Sequence, residues 1–254
     1  MSELQKIEFE DQSETIKDRV QSYWTKRAPS FYDLRQAELT SNKYQRWEKE
    51  IKALIGDREK LNILDIGCGA GFFEIILGQQ GHSVTGIDLT EEMISNTAEM
   101  IKKYSLTDTC QAVQMDAEKL DFPAESFDIV ISRNLTWTLP HPITAYKEWH
   151  RVLRKNGILL NFDAEYAKHA HTNLYSPENK AHSGISIELK DDCHEIYHML
   201  TISTMDRPQW DAEVLEQIGF ASVETDLTFG DRIFMEHDQF YIPDKLFSIK
   251  AVKS

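Results

Sequence analysis

Cysteine is scarce in this chain. Its three residues, Cys68, Cys110 and Cys193, form neither a ligand cluster nor an even disulfide set, so a reducing, cytoplasmic compartment is expected. Long apolar runs are missing too. No stretch approaches the roughly 20 residues that a membrane span needs, and the start of the chain lacks a signal-peptide core. No membrane partner is therefore expected. Positive charge is in deficit, with 28 Lys and Arg against 42 Asp and Glu and a net charge of −14 at pH 7. Such a chain repels phosphate backbones, and without a basic stripe it is not expected to bind nucleic acid. The acidity is read as an aid to solubility. Repeats and low-complexity segments are also lacking. A length of 254 residues suits one sizeable α/β domain with a cap and is short for two full domains.

What is present centres on residues 61–89. A buried run (Ile63, Leu64, Ile66) ends in Gly67, Gly69 and Gly71, as expected of a central parallel strand feeding a helix N-terminus. Glycine lets the backbone take positive φ and approach a ligand where a Cβ would collide. A helix through Phe72, Phe73, Ile76 and Leu77 stops at Gly81, and a second strand ends on Asp88, 21 residues after Gly67. There a carboxylate can accept hydrogen bonds from both hydroxyls of a ribose. A dinucleotide fingerprint would need a third glycine at position 72, which is Phe72.

The pattern Asp65-x-Gly-x-Gly-x-Gly71 instead resembles motif I of the class I S-adenosylmethionine-dependent methyltransferases, in their small-molecule, ubiquinone-biosynthesis-like (type 11) group. The resemblance covers roughly residues 20–164 and 205–252. It implies a Rossmann-like α/β fold, with a seven-stranded, mostly parallel sheet, helices on both faces and an N-terminal helical cap. One domain over 1–254 is expected, with the cap at 1–55 and an insert or lid at 165–204.

Further strands are expected at Gln111–Met115, Phe127–Ser132 and Ile158–Phe162, and an antiparallel closing pair at 221–228 and 245–252. Pro142 fits the first position of a helix with Tyr146, Trp149 and Leu153 inward, closed by Asn156-Gly157. A second helix runs from Trp210 to Ile218 and terminates at Gly219. In an open α/β sheet ligands lie outside the carboxyl ends of the strands. Those ends carry Asp65 to Gly71, Asp88, Asp116 to Glu118, Arg133-Asn134, and Asp163 with Glu165.

The resemblance implies S-adenosylmethionine as cofactor, S-adenosylhomocysteine as product, and a small-molecule acceptor methylated on O, N or S, with a carbon acceptor left open. It implies that Asp65 helps to hold the cofactor's amino group, and that Asp116, its neighbour Ala117 and Glu118 lie at the adenine. Tyr23, Arg27 and Tyr32 match an N-terminal segment that folds over the cofactor. Leu89 and Met93 are placed to pack on the adenine ring. His141, His169 and His171 are the candidate general bases, should the acceptor have to lose a proton.

His194-Glu-Ile-Tyr-His198 satisfies the zinc-protease pattern, with His169, His171 or His182 as a third ligand. It falls in a short insertion of a fold that cofactor binding already explains. No metal is expected, and the segment reads as a helical lid over the acceptor pocket. Three competitors stand beside methyl transfer: a non-catalytic cofactor-binding or sensor protein, a zinc-dependent hydrolase and a dinucleotide oxidoreductase. The assembly is expected to be a monomer or a homodimer.

Overall fold

Strand and helix alternate through most of this computed structural model, which describes residues 13–254. Two helices come first, α1 (Ser13–Leu39) and α2 (Asn42–Ile55). Then follow β1 (Asn62–Ile66), α3 (Phe72–Gln79), β2 (Ser83–Asp88), α4 (Glu91–Lys103) and β3 (Cys110–Gln114). Next are β4 (Phe127–Arg133), α5 (Pro142–Val152), β5 (Leu153–Asp163), α6 (Ala170–Asn173) and α7 (Ile187–Met199). The chain closes with α8 (Gln209–Ile218), β6 (Phe220–Asp226), α9 (Phe229–Ile233) and β7 (Phe247–Lys253). The part of the expected cap that falls on residues 1–12 lies outside the described residues.

The described strands form one seven-stranded sheet in the order β3-β2-β1-β4-β5-β7-β6. β1 pairs in parallel with β2 and β4, while β7 runs antiparallel to both β5 and β6. The strand order therefore reverses between β1 and β4, which is where an open α/β sheet forms a crevice at its carboxyl edge. This is the Rossmann-like architecture expected from the sequence.

Helices cover both faces. On one, Trp47 of α2 is wholly buried among Phe72, Phe73, Phe162 and Phe229, with ring centroids 5.1–5.9 Å away. On the other, Tyr146 and Trp149 of α5 pack with Val214 and Leu215 of α8 and with the inner side chains of β4 and β5. The central strands β1, β4 and β5 read as near-continuous apolar runs because they are buried on two faces, whereas the edge strands β3 and β6 are largely exposed.

Two local expectations are corrected. The helix opened by Pro142 ends at Val152, and Asn156-Gly157 lies inside β5, where the register shifts between Phe127 and Ile129 of β4. Asn156 has φ +59°, so the turn-like pair marks an irregularity in a strand and not a helix stop. Asp163 was expected at the ligand edge; instead it is fully buried. It accepts from Arg207 Nη1 (3.0 Å), the Trp137 amide (3.0 Å) and the Thr136 hydroxyl. Arg207 also forks onto Asp211 (both contacts 2.9 Å), and Asp211 accepts from Tyr146 Oη at 2.6 Å.

The 27 residues of α1 span about 40 Å at 1.5 Å per residue. They lie along the carboxyl edge of the sheet. Lys17 meets Asp116 at the tip of β3 (2.7 Å), Gln21 donates to the Leu89 carbonyl (3.1 Å), and Glu38 pairs with Arg133 at the tip of β4 (3.0 Å). The helix continues through Pro29. α7 flanks it, through Arg19 to Asp192 (3.1 Å) and Glu195 and through Lys26 to Asp192 (3.2 Å). Among the described residues no helix is long and apolar enough to cross a membrane.

Candidate active site

Between α1 and the strand tips lies a cleft with about 1410 Å³ of empty space, its mouth included. Its floor is the glycine loop after β1. The Gly67 and Cys68 amides both donate to the Ile87 carbonyl (2.8 and 2.9 Å), which ties the loop to β2. Asp88, the last residue of β2, uses both oxygens on backbone: Oδ2 accepts from the Gly69 amide (3.1 Å) and Oδ1 from the Thr90 amide (2.9 Å). Burial pushes this carboxyl up, and the two amide bonds oppose that shift. The free lone pairs of Asp88 belong to a group that lines the cleft.

Gly69 has φ +56°, and a Cβ there would stand 2.9 Å from Cε1 of Phe31 on α1. The loop and the helix thus meet as bare backbone against the Phe31 ring. This is the cradle that a Cβ would fill, and together with Asp88 it fits a nucleoside with an amino-acid tail. Asp88 would hold the ribose hydroxyls, and Gly67 to Gly69 would pass the tail. Leu89, Met93, Asp116 and Ala117, which line the adjoining end, would enclose the base.

Of the cofactor residues expected from the sequence, the cleft brings together Tyr23, Arg27, Gly67, Gly69, Asp88, Leu89, Met93, Asp116, Ala117, Arg133 and Asn134. The others lie behind or beside it. Gly71 packs against Thr97 of α4, and Tyr32 packs partly buried beside the core outside the cleft, its hydroxyl 2.7 Å from Glu99. Glu118 accepts from the His141 amide (2.7 Å), contacts His141 Nδ1 (3.0 Å) and pairs with Lys17 (2.5 Å). Asp65 is buried beneath the loop beside Glu74 of α3, and neither Glu74 oxygen has a hydrogen-bond partner among the described groups.

Burial pushes the Asp65 carboxyl up to about 8, with the neighbouring acids adding to the pressure on the pair. The folded protein therefore holds protons that the unfolded chain releases at ordinary carboxylate pH. Stability should fall as pH rises from about 4 to about 8. Glu74→Gln is expected to raise the stability of the ligand-free protein by about 1–3 kcal/mol at pH 8, with the gain vanishing near pH 4. Urea unfolding at the two pH values checks this; an equal effect at both would contradict it.

The candidate bases fall outside the cleft. His141 is engaged with Glu118, while His169 and His171 are exposed. The histidine that lines the cleft is His182, in the segment between α6 and α7. Burial, with Arg27 and Arg35 nearby, holds it well below the ordinary range, so it is neutral. Trp24, Phe31 and Arg35 of α1 line the cleft as well, as do Trp137, Tyr166, Cys193 and Tyr197. Helical period was the available signal: residues 20, 24, 27, 31 and 35 share one face of α1, and residue 32 does not. His194 and His198 of α7 approach at 3.4 Å between Nε2 atoms, but no group of three or more possible metal ligands exists among the described residues.

Comparison with known proteins agrees with this geometry. A family model described as a methyltransferase domain matches residues 64–161. The demethylmenaquinone methyltransferase of Listeria welshimeri is 30% identical over 155 residues, which are 59% of this chain and 64% of that protein. The phosphatidylethanolamine N-methyltransferase of Cereibacter sphaeroides is 31% identical over 128 residues, 50% of this chain and 60% of that one. The chain thus spans less than two thirds of the length of these curated relatives. Among solved structures, a SAM-dependent methyltransferase from Aquifex aeolicus superposes with a TM-score of 0.56 at 17% identity, covering 86% of this chain and 96% of its own. Motif I, the strand order and these matches agree: the chain is similar to the class I S-adenosylmethionine-dependent methyltransferases through its central part and shares their Rossmann-like fold.

Proposed function

We propose that this protein transfers a methyl group from S-adenosylmethionine to O, N or S of a small-molecule acceptor and releases S-adenosylhomocysteine. The observation that carries the reading is the continuity of one cleft. At one end stand Asp88 and the glycine loop; beyond Gly69 the same space opens among Trp24, Trp137, Tyr166 and Tyr197. A protein that only senses the cofactor needs the first part and has no use for the second. The curated relatives are named for small methyl acceptors, demethylmenaquinone and phosphatidylethanolamine, which favours a small molecule here too.

The cofactor supplies an activated methyl group on a sulfonium. The chain's own work is to hold two reactants in line and keep water out, and positioning alone is worth on the order of 7–11 kcal/mol. Trp137 stands at the centre of the ring wall, 4.7 Å from Tyr197 and 5.6 Å from Tyr166 between centroids. Ring faces next to a cation add about 0.5–2 kcal/mol. The tyrosines and Cys193 that line this part are pushed up by burial, so they stay protonated and serve as hydrogen-bond donors.

Asp88→Ala is the variant that tests the cofactor assignment. It removes a charge-assisted partner of the ribose and is expected to weaken S-adenosylhomocysteine binding by about 1.5–3 kcal/mol, roughly ten- to hundredfold. Calorimetric titration reads this directly, and an unchanged affinity would move the nucleoside elsewhere.

A further inference from the structure

Charge is distributed unevenly along this cleft. At the β3 end, Asp116 and Glu118 are answered by Lys17, at 2.7 and 2.5 Å. At the β4 end three guanidiniums, Arg27, Arg35 and Arg133, line the same space. Glu38 is the carboxylate that pairs with them. Arg133 forks onto it at 3.0 and 3.2 Å, and Arg35 Nη1 shares one of its oxygens. Arg27 has no carboxylate partner among the described residues; its Nη1 rests on the Ser30 hydroxyl at 2.6 Å. Both Arg27 and Arg35 are more than nine-tenths buried, and the Nε of each has no partner.

Glu38 is thus the one carboxylate ion-paired with these three guanidiniums among the described residues, so positive charge is in excess at this end of a chamber walled by rings. An unpaired buried charge costs several kcal/mol, so such a surplus persists where an anion enters. The other groups facing this region do not cancel it. His182 is neutral, Asp244 accepts from Asn173 Nδ2 at 2.8 Å, and Asp88 is held by the Gly69 and Thr90 amides, so none of them pairs with these guanidiniums. The carboxylate of the cofactor's amino-acid tail can occupy one guanidinium, with Arg27 the one expected for it. Its sulfonium then adds a further positive charge. One guanidinium, Arg35, remains without a whole carboxylate of its own. Held over the Phe31 ring at 4.7 Å, it sits in the part of the cleft shared with Asn134, Tyr166 and His182.

We infer that the methyl acceptor bears an oxyanion, a carboxylate or a phosphate ester, which docks on Arg35 while its apolar body lies against Trp137, Tyr166 and Tyr197. The planar guanidinium fork matches either oxyanion in bidentate fashion, which an ammonium would not do. The inference rests on the cofactor reading above and adds the acceptor's charge to it.

The test uses the full chain saturated with S-adenosylhomocysteine and three probes of one shape: benzoate, phenyl phosphate and neutral benzamide. At least one anion should bind tenfold or more tightly than benzamide, and comparison of the two anions separates carboxylate from phosphate. Arg35→Gln should reduce that preference to threefold or less while S-adenosylhomocysteine affinity changes by less than threefold. Glu38 keeps Arg133 as its partner in this variant, and a thermal melt confirms that it folds. Arg35→Lys, which keeps the charge and loses the fork, should recover part of the preference. Equal binding of all three probes overturns the inference, as does an Arg35→Gln variant that loses the cofactor product and keeps the anion preference. Failure of the wild-type protein to bind S-adenosylhomocysteine would bring down the cofactor reading and the acceptor assignment together. Normal binding of it with no anion preference would bring down this inference alone.

Discussion

Gly69→Val should lose at least a hundredfold in affinity for S-adenosylhomocysteine and still fold. Two effects add at this position. The backbone sits at φ +56°, a left-handed conformation that costs an L-residue roughly 1–2 kcal/mol and a β-branched one more. The new Cβ would also stand 2.9 Å from the Phe31 ring, and the extra methyl groups would fill the gap through which a ligand's tail must pass. Gly81→Ala separates the two causes. Gly81 has φ +84° with nothing within 4 Å of an added Cβ, so that variant carries the backbone strain without the obstruction. It should lose about 1 kcal/mol of stability and none of the binding. Equal binding loss in both variants would mean that strain, transmitted through the fold, is the cause and that the loop does not receive the ligand.

The largest stability effect is expected from Arg207→Ala. The guanidinium is 3% exposed and joins Asp163, Asp211 and Thr136, so it links the end of β5, the first turn of α8 and the loop after β4. Asn161 extends the network to Tyr146 Oη at 3.0 Å. Removing the one cation leaves two fully buried carboxyls facing each other. Breaking a buried pair in this way costs about 3–5 kcal/mol, because a charge is stranded. In a protein of this size each kcal/mol moves the midpoint by roughly 2–4 °C, so a fall of about 6–20 °C is expected in a thermal melt. Trp137 donates its amide to the same Asp163, so the ring wall of the cleft should loosen as well. A change below 1 kcal/mol would show that the network is dispensable.

These two sites differ in how readable they were. The glycine loop and Asp88 are visible in the linear chain because their chemistry is local. A strand end, a turn that excludes Cβ atoms and a carboxylate one strand further on recur at fixed spacing in a βαβ unit. The sheet order follows from the same local units and their right-handed crossovers. Arg207 carries no such mark: its partners lie 4, 44 and 71 positions away, and only the fold brings them together. Asp163 looked like a ligand-edge acid because it ends a strand, yet a cation arriving from α8's side turned it inward.

Helix α1 shows a third case. Its rings were conspicuous, but the face they share is set by helical phase. Phe31 and Arg35 point into the cleft, whereas Tyr32, one residue away, reaches Glu99. The surplus of guanidiniums was illegible for a different reason. Arg27 and Arg35 come from α1 and Arg133 from β4, and charge balance is a property of the volume they share, not of any segment. His182 likewise became a cleft residue only when the segment between α6 and α7 folded back over α1.

Everything about catalysis depends on where a nucleoside would lie. The most direct measurement is a crystal structure of the protein grown with S-adenosylhomocysteine. The ribose hydroxyls should fall within hydrogen-bonding distance of the Asp88 carboxylate, the adenine beside Met93 and Ala117, and the amino-acid tail along Gly67 to Gly69. A fully occupied nucleoside bound anywhere else, or a cleft left empty at saturating concentration, would contradict it.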